Sequence, residues 1–266
     1  MRNAAQEWVD ILSESTYFRF FKDKKTTHDQ YWRDFAVYDD YITHSCYPGA
    51  VLSRISELII PEAKIIDIGA GTGAFSIALA ENASHVIAVD PSSYHLDVVS
   101  AKCTAQDIEN IVQINAEWKD VDSDTHTKAL KDADYALAAY SIIDPDIENF
   151  LQKMHDTASK GIFIVYRAGE RDSLDRFAYG DKRSIDYQYM LRVMENMGMD
   201  VHTEFFNRNY KLPFSLVLHL YRNSERTESE LREFLLENER FDNSSGENHV
   251  TFSSTDALLY VLKNNS

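Results

Sequence analysis

Two kinds of hydrophobic pattern alternate along the chain. Short runs of β-branched and other apolar residues predict buried strands at 65–68, 85–89, 111–114, 135–140 and 161–166. Between these runs, apolar residues three or four positions apart predict helices at 51–59, 92–103 and 147–154. Strands that alternate with helices predict an α/β fold with a mostly parallel sheet.

The two ends of the chain depart from this alternation. Residues 1–48 are interpreted as an N-terminal helical cap, and 49–266 as the α/β domain, which opens with a helix after Pro48-Gly49. The cap is dense in aromatic residues: Tyr17, Phe18, Phe20, Phe21, Tyr31, Trp32, Phe35, Tyr38 and Tyr41. Most of these side chains are expected to pack on the core.

The C-terminal part adds further elements. A polar stretch at 170–183 predicts a lid loop, and 185–197 predicts a helix. A sixth strand is expected at 199–210 and a last strand at 255–262. Between them, the capping box Thr227-x-x-Glu230 and the apolar spacing predict a helical insertion over 213–246.

The glycine-rich stretch at 64–76 carries the most specific signal. A β-rich run containing Asp67 is followed by Gly69, Gly71 and Gly73 and then by a helical pattern extending to about residue 82. Such a turn between a strand and a helix exposes backbone N–H groups and lets the backbone approach a ligand closely. The dinucleotide fingerprint G-x-G-x-x-G/A is met loosely by Gly69, Gly71 and Ala74.

The spacing of an acid, one residue and then G-x-G-x-G fits better, and Asp67 to Gly73 resembles the first motif of class I S-adenosylmethionine (SAM)-dependent methyltransferases. Asp90 follows the second strand, where an acid accepts the ribose hydroxyls of either SAM or NAD. Asn115-Ala116-Glu117 resembles the stretch that holds the adenine edge in this family. Tyr31-Trp32 and Tyr38-Asp39 resemble its aromatic lid.

This resemblance, to substrate-uncharacterised stand-alone members of the family, implies a fold and a cofactor. The fold is a Rossmann-like, seven-stranded, mostly parallel sheet with an antiparallel last strand between the fifth and sixth and helices on both faces. The implied cofactor is SAM. Its predicted binding residues are Trp32, Asp67, Gly69, Gly71, Gly73, Asp90, Pro91, Asn115, Ala116, Glu117 and Tyr140.

The composition of the chain limits the classes of substrate and partner that it is expected to bind. The 266 residues carry a formal net charge of −16, which repels phosphate backbones and argues against a nucleic-acid substrate. The longest apolar runs are too short to span a membrane, and two cysteines without a signal peptide suit a reducing cytoplasm. Scattered histidines predict no metal site. The oligomeric state stays open, with a homodimer among the options.

The acceptor and its chemistry are less well specified. SAM contains its own leaving group, so in-line displacement needs orientation and, for a protonated nucleophile, a general base. Candidates are His44, Tyr140 and the Tyr166-Arg167 pair, with Arg167 expected to pair internally with Asp144 or another lid acid. A small-molecule acceptor is the leading hypothesis. A protein methyltransferase, a SAM-binding module without transfer activity and an NAD(P) oxidoreductase remain as alternatives.

Overall fold

The computed structural model describes residues 3–15, 26–121, 129–242 and 248–263. Within these ranges the strands are β1 (Lys64–Ile68), β2 (His85–Val89), β3 (Ile111–Ile114), β4 (Tyr135–Ala139), β5 (Gly161–Ala168), β6 (His202–Pro213), β7 (Phe241–Asp242) and β8 (His249–Leu262). They form one sheet in the order β3-β2-β1-β4-β5-β8-β6, with β7 paired to β8.

The helices of the described ranges lie before and between these strands. They are α1 (Ala4–Glu14), α2 (His28–Asp34), α3 (Tyr38–His44), α4 (Gly49–Leu58), α5 (Ser76–Leu79), α6 (Ser93–Ala105), α7 (Ile147–Thr157), α8 (Ser173–Tyr179), α9 (Tyr187–Asn196), α10 (Phe214–Leu220) and α11 (Glu228–Glu237). None of the described helices is both long enough and apolar enough to cross a membrane.

The sheet confirms the predicted Rossmann-like fold. Strands β1 to β5 pair in parallel, and β8 runs antiparallel between β5 and β6. Because the strand order runs outward from β1 to β3 on one side and from β4 to β5 on the other, the direction of winding reverses between β1 and β4. In open α/β sheets, ligands bind at the carboxyl ends of the strands beside such a reversal.

Helices bury both faces of the sheet. On one face α1, α7 and α9 pack against the strands, and Trp8 of α1 and Met154 of α7 are completely buried there. On the other face α4 and α5 cover the strands with Val51, Ile55 and Leu79. This double coverage explains why the central strands are apolar on both sides instead of alternating.

Several predicted elements have different boundaries in the structure. The sixth strand begins and ends three residues later than predicted, and the last strand begins six residues earlier, because β6 and β8 pair continuously from His202↔Tyr260 to Pro213↔His249. The additional strand β7 pairs with β8. The helix after the glycine turn ends at Leu79, short of residue 82.

The lid loop predicted at 170–183 is wrong, because this segment contains helix α8. The Asp172 side chain caps its N-terminus by accepting a hydrogen bond from Leu174 N, and Leu174 and Ala178 are buried. These two residues pack in a third apolar cluster with residues of α10 and α11 such as Val217 and Leu235. Tertiary packing therefore stabilises a helix in a stretch whose composition is polar.

Some sequence predictions have no structural test. The aromatic residues Tyr17, Phe18, Phe20 and Phe21 lie outside the described residues. The domain boundary at 48/49 stays a prediction. Helices α10 and α11 do lie between β6 and β8, in the segment predicted as a helical insertion.

Candidate functional site

The turn after β1 requires glycine at position 69 for two reasons. Gly69 has a φ of +71°, a conformation that other residues adopt only with strain. A Cβ added there would lie 2.2 Å from the Cβ of Ser141, the second residue beyond β4. The Ser141 hydroxyl in turn donates to the Ile68 carbonyl at 2.6 Å. The two strand ends at the reversal point are thus in direct contact.

Asp67 organises this turn from beneath. Its carboxylate is 2% exposed and accepts a 2.6 Å hydrogen bond from the Ser76 hydroxyl at the start of α5. Burial raises the pKa of Asp67 to about 6, an effect that the hydrogen bond from Ser76 opposes. The side chain ties the strand to the helix and does not line the cavity described below.

Asp90 is the acidic group at the end of β2. Its Oδ2 accepts from the Gly71 amide and its Oδ1 from the Ser92 amide, both at 2.8 Å. A carboxylate has about four acceptor positions, so two remain for a ligand. Asn115 donates its side-chain amide to the Asp90 carbonyl at 3.0 Å, which holds the end of β2 against the end of β3.

A cavity of about 580 Å³ lies along the carboxyl ends of the strands. The last residues of β1, β2 and β4, which are Ile68, Val89 and Ala139, form part of its wall. Eight of the eleven predicted cofactor residues line it: Trp32, Gly69, Gly71, Asp90, Pro91, Ala116, Glu117 and Tyr140. The other three, Asp67, Gly73 and Asn115, do not line it.

Helices α2 and α3 cover one side of the cavity. Trp32 and Tyr38 lie over His95 of α6, with ring centroids 4.6 and 5.8 Å from the imidazole. Asp29 accepts from the Tyr94 amide at 2.7 Å and from the Ser93 hydroxyl at 2.9 Å. Desolvation works against ionisation, but hydrogen bonds led by that from Arg33 lower the pKa of Asp29 to about 2.

A second contact fixes the same cover to the glycine turn. The Lys102 ammonium donates to the Asp39 carboxylate at 2.6 Å and to the Thr72 carbonyl at 2.9 Å. Lys102 therefore joins α3 to the backbone of the turn. The aromatic stretch that resembles a lid is thus attached at both Asp29 and Asp39.

Tyr140 stands at the other end of the cavity. Its ring is 39% exposed and stacks on Tyr166, with centroids 5.7 Å apart. Its hydroxyl donates to the Asp256 carboxylate at 2.5 Å. Burial, followed by the charge of Asp256, raises the pKa of Tyr140 well above its ordinary value. The phenol therefore stays protonated and is unsuited to act as a general base.

Asp256 and Arg208, which the sequence analysis missed, form the buried ion pair behind Tyr140. The Arg208 Nε donates to Asp256 Oδ2 at 2.5 Å, and Asp256 has no exposed surface. Arg208 also donates to the Ser45 carbonyl at 2.7 Å and lies over the Tyr47 ring. No short motif marks these residues, because 48 positions separate them and only the β6–β8 pairing brings them together.

The other predicted catalytic candidates occupy different places. His44 is exposed in the last turn of α3, with its Nδ1 2.8 Å from the Asp40 carbonyl, and it does not line the cavity. Arg167 donates to the Gly169 carbonyl and to the Ser184 hydroxyl. Among the described residues Arg167 forms no ion pair with Asp144 or another lid acid, because oxygens of Gly169, Ser184 and Ile185 accept from its guanidinium instead.

Two cavity histidines were also missed. His28 has its Nε2 3.9 Å from Glu117 Oε1, and burial lowers its pKa despite that charge. His95 is 2% exposed, and neither of its ring nitrogens has a hydrogen-bond partner. A histidine three residues into a helix carries no sequence signal that separates a ligand contact from simple packing.

Comparison with known proteins identifies the central part of the chain. Residues 65–161 match a family described as a methyltransferase domain. An uncharacterised protein of Haemophilus influenzae is 25% identical over 146 residues, which cover 53% of this chain and 52% of that protein. The matched region therefore spans about half the length of that curated relative.

Three solved structures share the fold. The YcgJ protein of Bacillus subtilis has a TM-score of 0.56 at 14% identity, covering 81% of this chain and 98% of that one. A Bacillus halodurans protein classed as a methyltransferase has a TM-score of 0.57 at 16% identity, covering 82% and 100%. The magnesium protoporphyrin IX methyltransferase of Synechocystis, solved with S-adenosylhomocysteine (SAH), has a TM-score of 0.52 at 10% identity, covering 97% and 100%.

The matched domain begins at the second residue of β1 and ends where β5 starts, so it contains the glycine turn, Asp90 and the strand reversal. The sheet order around it is the one that the resemblance implied. Residues 65–161 thus form a methyltransferase domain, in a chain whose sheet has the fold of the solved methyltransferases named above.

Proposed function

We propose that this protein transfers a methyl group from SAM to a small-molecule acceptor by in-line displacement. The observation that carries the proposal is one continuous cavity, which runs from the glycine turn and Asp90 to the Tyr140–Tyr166 pair. Its volume of about 580 Å³ lies within the range of small-molecule sites. Cofactor and acceptor can therefore meet inside one cavity.

The residues present fit the cofactor. Asp90 faces the cavity with acceptor capacity that its two backbone contacts leave unused, which suits the hydroxyls of a ribose. Ala116 and Glu117 would hold the adenine, and Gly69 and Gly71 allow a ligand to approach the backbone of the turn. The Trp32 face suits a positively charged group.

When bound, SAM supplies a methyl group on a positively charged sulfonium that already contains its leaving group. The chain then has to bind SAM and the acceptor, orient them and exclude water. Orientation alone can lower the reaction barrier by on the order of 7–11 kcal/mol. The acids Asp90, Glu117 and Asp144 line the cavity, and Lys119 there is paired with Glu117 at 2.6 Å. This balance favours a neutral or cationic acceptor over an anionic one.

Titration calorimetry with SAH tests the cofactor half of the proposal. Wild type is expected to bind at micromolar concentration, whereas Asp90→Ala should lose at least tenfold in affinity because the ribose acceptor is gone. Asp90→Asn keeps the shape and guards against a folding defect. The matched control is Asp97→Ala on the exposed face of α6, which should bind SAH like wild type.

Transfer of labelled methyl from SAM into a cell extract tests the acceptor half. Label in the small-molecule fraction supports the proposal, provided that the Asp90→Ala variant does not produce it. Label confined to protein would mean a protein methyltransferase. SAH binding without any transfer would leave a SAM-binding module as the function.

A further inference from the structure

His95 lies inside the cofactor cavity without a hydrogen-bond partner. It is the third residue of α6, is 2% exposed and forms part of the cavity wall. Both Nδ1 and Nε2 are buried without a partner. A buried polar group normally recovers its lost hydration through a hydrogen bond, so this imidazole is incomplete in the ligand-free chain.

The nearest acidic side chain, Asp90, does not provide the missing hydrogen bond. Nδ1 lies 3.4 Å from Asp90 Oδ1 but does not form a hydrogen bond with it. The two carboxylate oxygens of Asp90 are held in place by the Gly71 and Ser92 amides. The imidazole ring is held by Trp32, 4.6 Å away between centroids. His95 is therefore fixed beside the acid without satisfying its nitrogens.

We propose that His95 is a cofactor-binding residue that holds the SAM ribose together with Asp90. A ribose hydroxyl between the two side chains would donate to the Asp90 carboxylate and accept from the His95 N–H. Asp90 and His95 then each obtain a hydrogen-bond partner. The ribose diol is bound by a carboxylate acceptor and an imidazole donor together. This inference rests on the proposed function, because it names a contact to the same cofactor.

A purely structural role makes a different prediction. If His95 only filled space beneath Trp32, methionine of similar volume would replace it without the cost of two unpartnered nitrogens. His95→Met would then melt at the same or a higher temperature than wild type and bind SAH unchanged. If His95 contacts the ribose, the same variant stays folded but binds SAH more weakly.

The experiment is calorimetric titration of SAH, 2′-deoxy-SAH and 3′-deoxy-SAH into four proteins, with melting temperatures measured alongside. These are wild type, His95→Met, His95→Gln and the control His85→Met, in which an exposed histidine at the start of β2 is changed. His95→Met should weaken SAH binding about five- to tenfold, the value of one hydrogen bond. His95→Gln keeps an N–H donor and should lose less.

The deoxy ligands make the test specific. For one of them, wild type and His95→Met should bind equally, since the hydroxyl that His95 contacts is missing. An unchanged SAH affinity in His95→Met, or the same loss with all three ligands, overturns the inference while leaving the proposed function intact. Absence of SAH binding to wild type overturns both. If His95→Met does not fold, His95→Phe keeps a ring against Trp32 without a donor and takes its place.

Discussion

The two ends of the cavity are held together by different kinds of contact. Around the glycine turn, the contacts join side chains to nearby backbone, as when Asp90 accepts from Gly71 and Ser92. Around Tyr140, they join side chains from β6, β8 and the end of β4, as in the Tyr140–Asp256–Arg208 cluster. The first end depends on local chain geometry, and the second depends on a buried charge pair.

This difference explains why the two ends were unequally visible in the sequence. The residues of the cofactor end, around the glycine turn and Asp90, were visible because tight backbone turns require particular residue types. The Tyr140 end, which we propose as the acceptor end, uses residues that could each have been packing residues, and only their assembly gives them a role. Substitutions at the two ends should therefore differ in their effects on stability and on SAH binding.

The largest effect is expected at the acceptor end. Asp256→Asn leaves Arg208 as a buried charge without its partner, and about 3–5 kcal/mol of unfolding free energy should be lost. The exposed pair Glu14–Arg183 is the matched control, since Glu14→Gln should cost no more than about 1 kcal/mol. Urea unfolding measures both.

Adding Arg208→Met to Asp256→Asn should recover part of the loss, because the uncompensated charge is then removed. SAH binding in the folded fraction should stay within about threefold of wild type. A cost for Asp256→Asn as small as that for Glu14→Gln would contradict the assignment of this pair as the structural centre of the acceptor end.

A smaller effect is expected at the glycine turn. Gly69→Ala combines a strained φ with a Cβ that collides with Ser141, so roughly 2–4 kcal/mol should be lost. Gly198→Ala, at the exposed C-terminal end of α9, has a φ of +79° but meets no atom within 4 Å, and should cost only about 1–2 kcal/mol. An equal loss of unfolding free energy in the two variants would show that the contact between the strand ends does not contribute to stability.

The same pair of variants separates the ends functionally. Because the turn forms the cofactor side, Gly69→Ala should weaken SAH binding even in conditions where the protein is fully folded. Gly198 follows α9 and does not line the cavity, so Gly198→Ala should bind SAH normally. Calorimetry on both proteins provides this comparison.

The smallest effect concerns the aromatic cover. Asp29→Asn weakens the hydrogen bonds from Tyr94 and Ser93, so about 1 kcal/mol of stability should be lost and SAH should bind a few times more weakly. Asp40→Asn is the control, since Asp40 is an exposed acid in α3 outside the cavity.

The pH dependence of this contact has a defined sign. The pKa of Asp29 is about 2 when folded and 3.8 ordinarily, so its contribution is present above about pH 4 and declines as pH falls towards 2. Asp29→Asn should therefore differ from wild type at pH 5 and converge with it near pH 2. A difference that persists at the lowest pH would contradict the role of the carboxylate.

Much of the fold was predictable because burial in a parallel sheet imposes a strong pattern. Strands such as 85–89 are apolar on both faces, and few other structures accommodate that pattern. Helix α8 was missed for the opposite reason. The stretch 170–183 that contains it is mostly polar, and the helix depends on Leu174 and Ala178 packing against helices that follow far along the chain.

The candidate site divides in the same way. Asp90 and the glycines were predictable because turn geometry and strand ends follow from local residue types. His44 was a plausible base by position, yet the structure exposes it outside the cavity. His95 and Asp256 gave no local signal, since an imidazole in a helix or an acid in a strand has many uses.

The sequence by itself determined the parallel sheet, the glycine turn and the acid at the end of the second strand. These features rest on short-range physics: strand burial, positive φ and the carboxyl ends of neighbouring strands. Only the tertiary structure decided which polar groups share the cavity, because burial next to a distant partner sets their hydrogen bonds and pKa values. The unpartnered imidazole of His95 and the buried Asp256–Arg208 pair form only when distant parts of the chain pack together.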